Sequence, residues 1–265
     1  MRKPKLYIFS GAGLSAESGI RTFRKDTASG KAMWDEYDLD VVCNFQAFPT
    51  HFAETHEFYN KRRQELATVE PNHAHKAIAE LYWEFPGQVI NVTTNVDDLL
   101  ERAGINDEDV IHLHGKITEM NFGNSGRYDD AIHTLDIGYS RFPYEVGEWV
   151  CDLPNGNTEM FTYAKPNVVF FGENAPMYME LERVIDSIHA DDTAIVVGCS
   201  NIVIPFDMYV APVCSYRGAL SIEINPDAEH ETSPFPTVYR CGAVGAFHKT
   251  EFMNNLRKRL SVESY

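Results

Sequence analysis

Leu6-Tyr7-Ile8-Phe9-Ser10-Gly11-Ala12-Gly13-Leu14-Ser15 is the stretch on which the fold is decided. A continuous apolar run of this length suits a strand covered on both faces. Gly11 and Gly13 follow at once, allowing a tight turn and a close approach of backbone to a pyrophosphate. Alone this turn is a weak signal, because many strand-to-helix turns carry glycine for packing. A dehydrogenase fingerprint would add a third glycine and an acidic residue about twenty positions on. Here position 16 is Ala and the chain continues Glu17-Ser18-Gly19-Ile20-Arg21-Thr22-Phe23-Arg24, so that fingerprint is absent.

Outward from this stretch the same grammar returns. Val89-Ile90-Asn91-Val92, Val168-Val169-Phe170-Phe171, Ala194-Ile195-Val196-Val197 and Ser221-Ile222-Glu223-Ile224 also read as buried strands. Residues 74–83 place Ala74, Ala77, Ile78 and Leu81 at helical spacing, and residues 178–188 do so with Met179, Leu181, Val184, Ile185 and Ile188. Strand–helix alternation predicts a doubly wound, Rossmann-like α/β core with a parallel sheet. Two stretches break the rhythm: 25–72, helical in character, and 115–165, rich in Gly, Asn, Tyr and Asp. Insertions at the carboxyl ends of strands usually cover the ligand crevice. The expected division is therefore a core of 1–24, 73–114 and 166–265, and a small module of 25–72 and 115–165.

The chain has 265 residues, 44% of them hydrophobic, enough to bury a sizeable core. A net charge of -16 disfavours phosphate backbones as partners and attracts basic, lysine-rich segments; it also simply keeps a protein in solution. No apolar run approaches a membrane span, and no signal-peptide pattern opens the sequence, so a cytoplasmic location is expected. The five cysteines, Cys43, Cys151, Cys199, Cys214 and Cys241, are scattered. That argues against a disulfide framework and a cysteine-based metal site.

The segment Gly11 to Arg24 resembles the opening motif of the sirtuins, NAD-dependent protein lysine deacylases. Later segments agree in order: Thr93-Thr94-Asn95-Val96-Asp97, His112-Leu113-His114-Gly115, Val168-Val169-Phe170-Phe171-Gly172-Glu173, Gly198-Cys199-Ser200, and Ile224-Asn225 at a strand end. The resemblance spans nearly the whole chain and is weakest over 115–164. It implies NAD as a co-substrate, an acylated-lysine protein or peptide as partner, and neither nucleic acid nor membrane. It places the cofactor on Gly11, Ala12, Gly13, Ser15, Glu17, Phe23, Arg24, Thr94, Asn95, Val96, Asp97, Gly198, Cys199, Ser200, Asn225, Pro226, Asp227 and Val244.

Within that frame each role has a chemical reason. His114 is the expected base, since imidazole titrates near neutral pH; His112 is the nearby decoy. Asn95 suits a ribose hydroxyl or a water, and Asp97 the nicotinamide carboxamide. Both residues also suit a helix cap, and the two roles are compatible. Thr94 stands where the family has glutamine and is too short to repeat its contacts. Phe23 would cover the ribose face, and Arg24 would meet phosphate through its planar fork. Phe171, Gly172 and Glu173 would pair with an extended substrate backbone.

Tyr59 and Arg62 share one helical face, and a hydroxyl beside a guanidinium makes a carboxylate clamp. The pair resembles the Tyr-x-x-Arg of sirtuins that remove succinyl and malonyl groups; Arg63 is the competing partner. Most sirtuins hold the second insertion with zinc on two Cys-x-x-Cys pairs, whereas 115–165 contains Cys151 alone. No zinc is expected, and packing of Tyr128, Tyr139, Phe142, Tyr144 and Trp149 is expected to hold the module instead. Two other functions stay open: NAD hydrolysis or ADP-ribose transfer without an acyl substrate, and NAD or ADP-ribose binding without catalysis.

Overall fold

The computed structural model describes residues 2–20, 37–124, 133–228 and 231–262. In chain order the elements are β1 (Leu6–Ser10), α1 (Ala12–Ala16), α2 (Leu39–Val42), α3 (Phe52–Leu66), α4 (His73–Glu84), β2 (Val89–Thr93), α5 (Leu99–Arg102) and β3 (Val110–His112). There follow β4 (Gly115–Gly123), β5 (His133–Asp136), β6 (Trp149–Asp152), β7 (Thr158–Phe161) and β8 (Tyr163–Val168). The chain ends with α6 (Tyr178–Asp186), β9 (Thr193–Val197), α7 (Phe206–Arg217), β10 (Leu220–Ile224), β11 (Thr237–Tyr239), α8 (Ala243–Phe247) and α9 (Thr250–Leu260).

The main sheet has the order β11-β10-β9-β1-β2-β3, and every pairing in it is parallel. Strand β1 is buried along its whole length and lies at the centre. Its side chains alternate: Leu6 and Ile8 join a core under α4, α8 and α9, while Tyr7 and Phe9 join one under α6 and α7. A strand that needs apolar residues on both faces has to sit between two helical layers. The order reverses between β1 and β9, so the carboxyl ends of these strands open the crevice where such sheets bind ligands.

Val168-Val169-Phe170-Phe171 departs from its expected place. It does not belong to the parallel sheet: β8 ends at Val168 and pairs antiparallel with β4 in a separate sheet of order β5-β4-β8. Buried β-branched runs look alike in either setting, since what they register is burial and not direction. A hairpin of β6 and β7 completes this part of the chain. Met120, Phe122, Phe142, Trp149, Leu153, Phe161 and Ala164 form its core. Tyr139 packs on the neighbouring cluster around α2 and α3, and Tyr144 and Cys151 lie at the edge of the module's core. Tyr128 lies outside the described residues.

Arg63 ties α3 to this sheet. The side chain is fully buried. It donates to the Ile117 carbonyl (2.7 Å) and to Asn60 Oδ1 (2.6 Å). Burial pulls its pKa down to about 10. Arg63→Met is expected to cost roughly 1–3 kcal/mol, because a buried carbonyl loses a charged donor. Urea unfolding checks this: a midpoint equal to that of the parent protein would refute it.

Candidate active site

Five loops leave the carboxyl ends of β1, β2, β3, β9 and β10 and converge on the crevice. Gly13 and Gly198 form its floor. The Gly13 N–H donates to the Gly198 carbonyl at 2.9 Å. A Cβ on Gly13 would lie 2.6 Å from the Gly198 Cα, and one on Gly198 would lie 2.5 Å from the Gly13 carbonyl carbon. Gly198 also has φ +63°, which a side chain would strain. The two turns thus touch backbone to backbone, a fit that demands glycine before any ligand is considered. Gly11 is under the same pressure: a Cβ there would lie 2.8 Å from the Gly198 carbonyl oxygen. Ala12 is half-buried beside them.

Behind this floor lies a chain of polar groups. The Asn72 N–H donates to His75 Nδ1 (3.3 Å), so Nε2 carries the ring proton and points it at Ser15 Oγ (3.3 Å). Asn95 Nδ2 donates to the same oxygen at 3.1 Å. Ser15 also acts on the Asp97 carboxyl, pulling its pKa down. Desolvation pushes the Asp97 pKa up to about 6, against the pull of Ser15 and of the Leu99 N–H, which donates to Oδ1 at 3.2 Å. Asp97 thus also satisfies the N–H of Leu99, the first residue of α5. Burial lowers the pKa of His75 to about 4, so it stays neutral.

The histidines divide as geometry dictates. Both nitrogens of His112 are engaged, Nδ1 with the Asn95 carbonyl (2.9 Å) and Nε2 with Glu101 Oε1 (2.7 Å). His114 Nδ1 donates to the Thr94 carbonyl at 3.1 Å, which fixes the tautomer and leaves the Nε2 lone pair available. That lone pair faces the Tyr178 hydroxyl at 3.3 Å. Desolvation lowers the pKa of His114, so the ring is a neutral acceptor at pH 7. Thr94 turns its own hydroxyl back to the Ser10 carbonyl (3.3 Å). The Val96 carbonyl accepts from the Ile117 N–H, which joins the β2 loop to β4.

Other expected contacts are rearranged. Cys199 points its thiol inward to the Phe9 and Val197 carbonyls, and burial pushes its pKa far up. It offers the crevice only its backbone. Asn225 Nδ2 donates to the Cys199 carbonyl (2.8 Å), and its Oδ1 accepts from the Asp227 N–H (3.1 Å), so it braces two loops. Ser200, Pro226 and Asp227 lie exposed at the rim. Glu17 accepts from the Val244 N–H at 2.8 Å, joining the end of α1 to the start of α8. Phe23 and Arg24 lie outside the described residues.

The stretch expected to meet the peptide, Phe171 to Glu173, is a turn and not an extended strand. Gly172 has φ +86°, and the Glu173 N–H returns to the Phe170 carbonyl at 3.1 Å. Phe171 pairs its backbone with Cys43 and Phe45, leaving an exposed ring. The Glu173 carboxylate is turned inward to Lys165 Nζ (3.0 Å) and the Phe170 N–H (2.6 Å), so it braces the turn and does not line the crevice. On α3, Tyr59 stacks on Phe170, and its hydroxyl meets Cys43 Sγ at 3.6 Å. Arg62 pairs with Glu65 (2.7 Å) and lies over the Phe58 ring. Arg63, the competing residue, is committed to the interior. Sequence reasoning missed His75, Lys165, Cys43 and Tyr178; Asn72-x-x-His75, a helix-capping pattern, is the one legible sign among them.

The donors present fit a dinucleotide: a glycine floor at the switch point, hydroxyl and amide groups for sugar oxygens, and a neutral histidine. Comparison with known proteins agrees. Residues 11–205 match the Sir2 family. The NAD-dependent protein deacylase of Helicobacter hepaticus is 37% identical over 224 residues, covering 78% of this chain and 79% of that protein. The NAD-dependent protein deacylase of Shewanella oneidensis is 33% identical over 233 residues, covering 87% and 86%. A Sir2 homologue in complex with ADP-ribose superposes with a TM-score of 0.75 at 30% identity, covering 100% of this chain and 96% of that one. A Sir2 homologue–NAD complex gives 0.73 at 32% identity, covering 98% and 92%.

Proposed function

The chain belongs to the Sir2 family, and on that premise we propose that it is an NAD-dependent protein lysine deacylase favouring succinyl and malonyl groups, releasing nicotinamide and O-acyl-ADP-ribose. One observation carries the reading: Asn95 is hydrogen-bonded to Ser15 at the switch point, Ser15 also acts on the neighbouring Asp97 carboxyl, and the Thr94 carbonyl orients His114 so that its Nε2 keeps a lone pair. A module that only binds a nucleotide needs no neutral base at that position.

NAD supplies the glycosidic bond that is broken, with C1′ of the nicotinamide ribose as the centre that receives the acyl oxygen. The residues of this chain do the rest. Asp97 accepts from the carboxamide and orients it. Asn95, held by Ser15, binds a ribose hydroxyl or a water. His114 Nε2 takes a proton from a ribose hydroxyl. The turn at Gly172, with the exposed Phe171 ring beside it, receives the peptide, and Gly13 and Gly198 keep the floor clear of side chains so that the phosphates can approach the main chain.

Tyr59 and Arg62 are the groups proposed to select the acyl chain. Each has a partner that a carboxylate could replace. A thiol is a weak acceptor for the Tyr59 hydroxyl. The Arg62 side chain is 9% exposed, and its partner Glu65 is half-exposed, so the pair is open to solvent only on the glutamate side. An incoming carboxylate offers both residues a stronger partner.

Turnover of acetyl-, succinyl- and malonyl-lysine peptides, with and without NAD, tests the reading. Nicotinamide release is expected to depend on the acyl peptide and to be fastest with succinyl-lysine. Arg62→Met is expected to lower succinyl turnover roughly 10- to 100-fold while acetyl turnover changes little. Equal turnover of both acyl groups by the parent protein would sink the clamp. Fast nicotinamide release without any acyl peptide would replace deacylation by NAD hydrolysis.

A further inference from the structure

Tyr178 begins α6, immediately after the loop that leaves the Gly172 turn, and its hydroxyl lies 3.3 Å from His114 Nε2. Nothing in the proposed chemistry uses it. The His114 tautomer decides the sense of this contact. Nδ1 gives its proton to the Thr94 carbonyl, so Nε2 has only a lone pair and the phenol must be the donor. Nε2 is also the atom assigned to accept the ribose proton. One lone pair thus has two claimants.

We propose that Tyr178 is a positioning residue for His114: its hydroxyl holds the imidazole with Nε2 toward the crevice in the free protein and is exchanged for the ribose hydroxyl when NAD binds. The inference rests on the reading of His114 as the base. The contact suits exchange. At 3.3 Å it is long, hence weak, for a hydroxyl donor. Tyr178 is 36% exposed, so the displaced hydroxyl turns to water at little cost. Tyr178 is the titratable side chain in contact with His114, and Tyr209 of α7 acts on Tyr178; among the described residues no carboxylate or cation perturbs the His114 ring.

A donor on Nε2 stabilises the neutral ring, so its removal raises the pKa of His114 in the free protein. The dependence of kcat/KM on pH reports the free enzyme, and that of kcat the bound one. In Tyr178→Phe the acid limb of kcat/KM for NAD is expected to move up by about half a pH unit, the size of one weak hydrogen bond. The acid limb of kcat is expected to stay in place, because the hydroxyl has already left. NMR titration of the His114 ring in the NAD-free protein should show the same upward shift without reference to turnover. An unmoved ring titration and kcat/KM limb would overturn the proposal. Equal movement of both limbs would also overturn it, because Tyr178 would then stay bound throughout. Full turnover by His114→Ala is a separate result, and it would remove the base assignment itself.

Discussion

Asp97→Asn is expected to yield a protein that is harder to unfold at pH 8 and that releases nicotinamide roughly 10- to 100-fold more slowly. Both effects come from one carboxyl group. Desolvation raises its folded pKa from 3.8 to about 6. The folded state therefore keeps a proton that the unfolded chain has already released. This contribution to stability is fully present below pH 3.8 and is lost as the pH rises through about 6. Each pKa unit is worth about 1.4 kcal/mol. Because solvent reaches one side of the residue, a gain of about 1–2 kcal/mol is expected when the charge is removed. Asparagine keeps an acceptor for Leu99 and Ser15 but loses the charged acceptor proposed for the carboxamide. Denaturant unfolding at pH 4 and pH 8 measures the first effect: the two proteins should differ at pH 8 and converge at pH 4. A variant that is less stable at pH 8 would refute the desolvation argument.

The second large effect is expected at Glu173. The Lys165 ammonium is fully buried, 3.0 Å from the Glu173 carboxylate, and lies over the Phe170 ring at 3.8 Å. Burial already pulls the Lys165 pKa to about 8 even with that carboxylate beside it. Glu173→Ala removes the counter-charge and also the acceptor of the Phe170 N–H. Breaking a buried pair from one side costs about 3–5 kcal/mol. Replacing both partners with apolar residues, as in Lys165→Met with Glu173→Leu, is expected to recover most of that loss. On the proposed reading, the single variant also raises KM for the acyl peptide more than KM for NAD, since the turn it loosens holds Phe171 and Gly172. A single variant as stable as its parent would show that the pair contributes nothing.

The parts of the fold that were legible in the sequence share a physical cause. β1, β2, β9 and β10 are buried on both faces, so burial wrote itself into unbroken apolar runs, and α4 and α6 carry one clear apolar stripe. The run at Val168 was misplaced because an antiparallel strand under a packed module is buried in the same way. Helix α7 was hidden by Pro212 in its interior and by Met208, Tyr209 and Tyr216 on its exposed face. In the proposed site, the residues whose own motif named them stood out: Gly13, Asn95, Asp97 and His114. Those that act through another residue did not. His75 reaches Asp97 only by way of Ser15, and Lys165 reaches the turn at Gly172 through Glu173 and the Phe170 ring. Such links span sixty residues in one case, and no local pattern records them. Glu173 and Asn225 show the converse: the motif named them, and folding has given their side chains structural partners.

The contact between Gly13 and Gly198 joins two turns that are remote in the chain, main chain against main chain. An ordinary packing fault can be relieved by shrinking the neighbour across from it. Here the neighbour has nothing left to give up. A lineage that acquires a side chain at either position therefore has no second change at the other that restores the fit. The two positions act as one, and the floor of the cleft at this end of the sheet has no alternative to glycine.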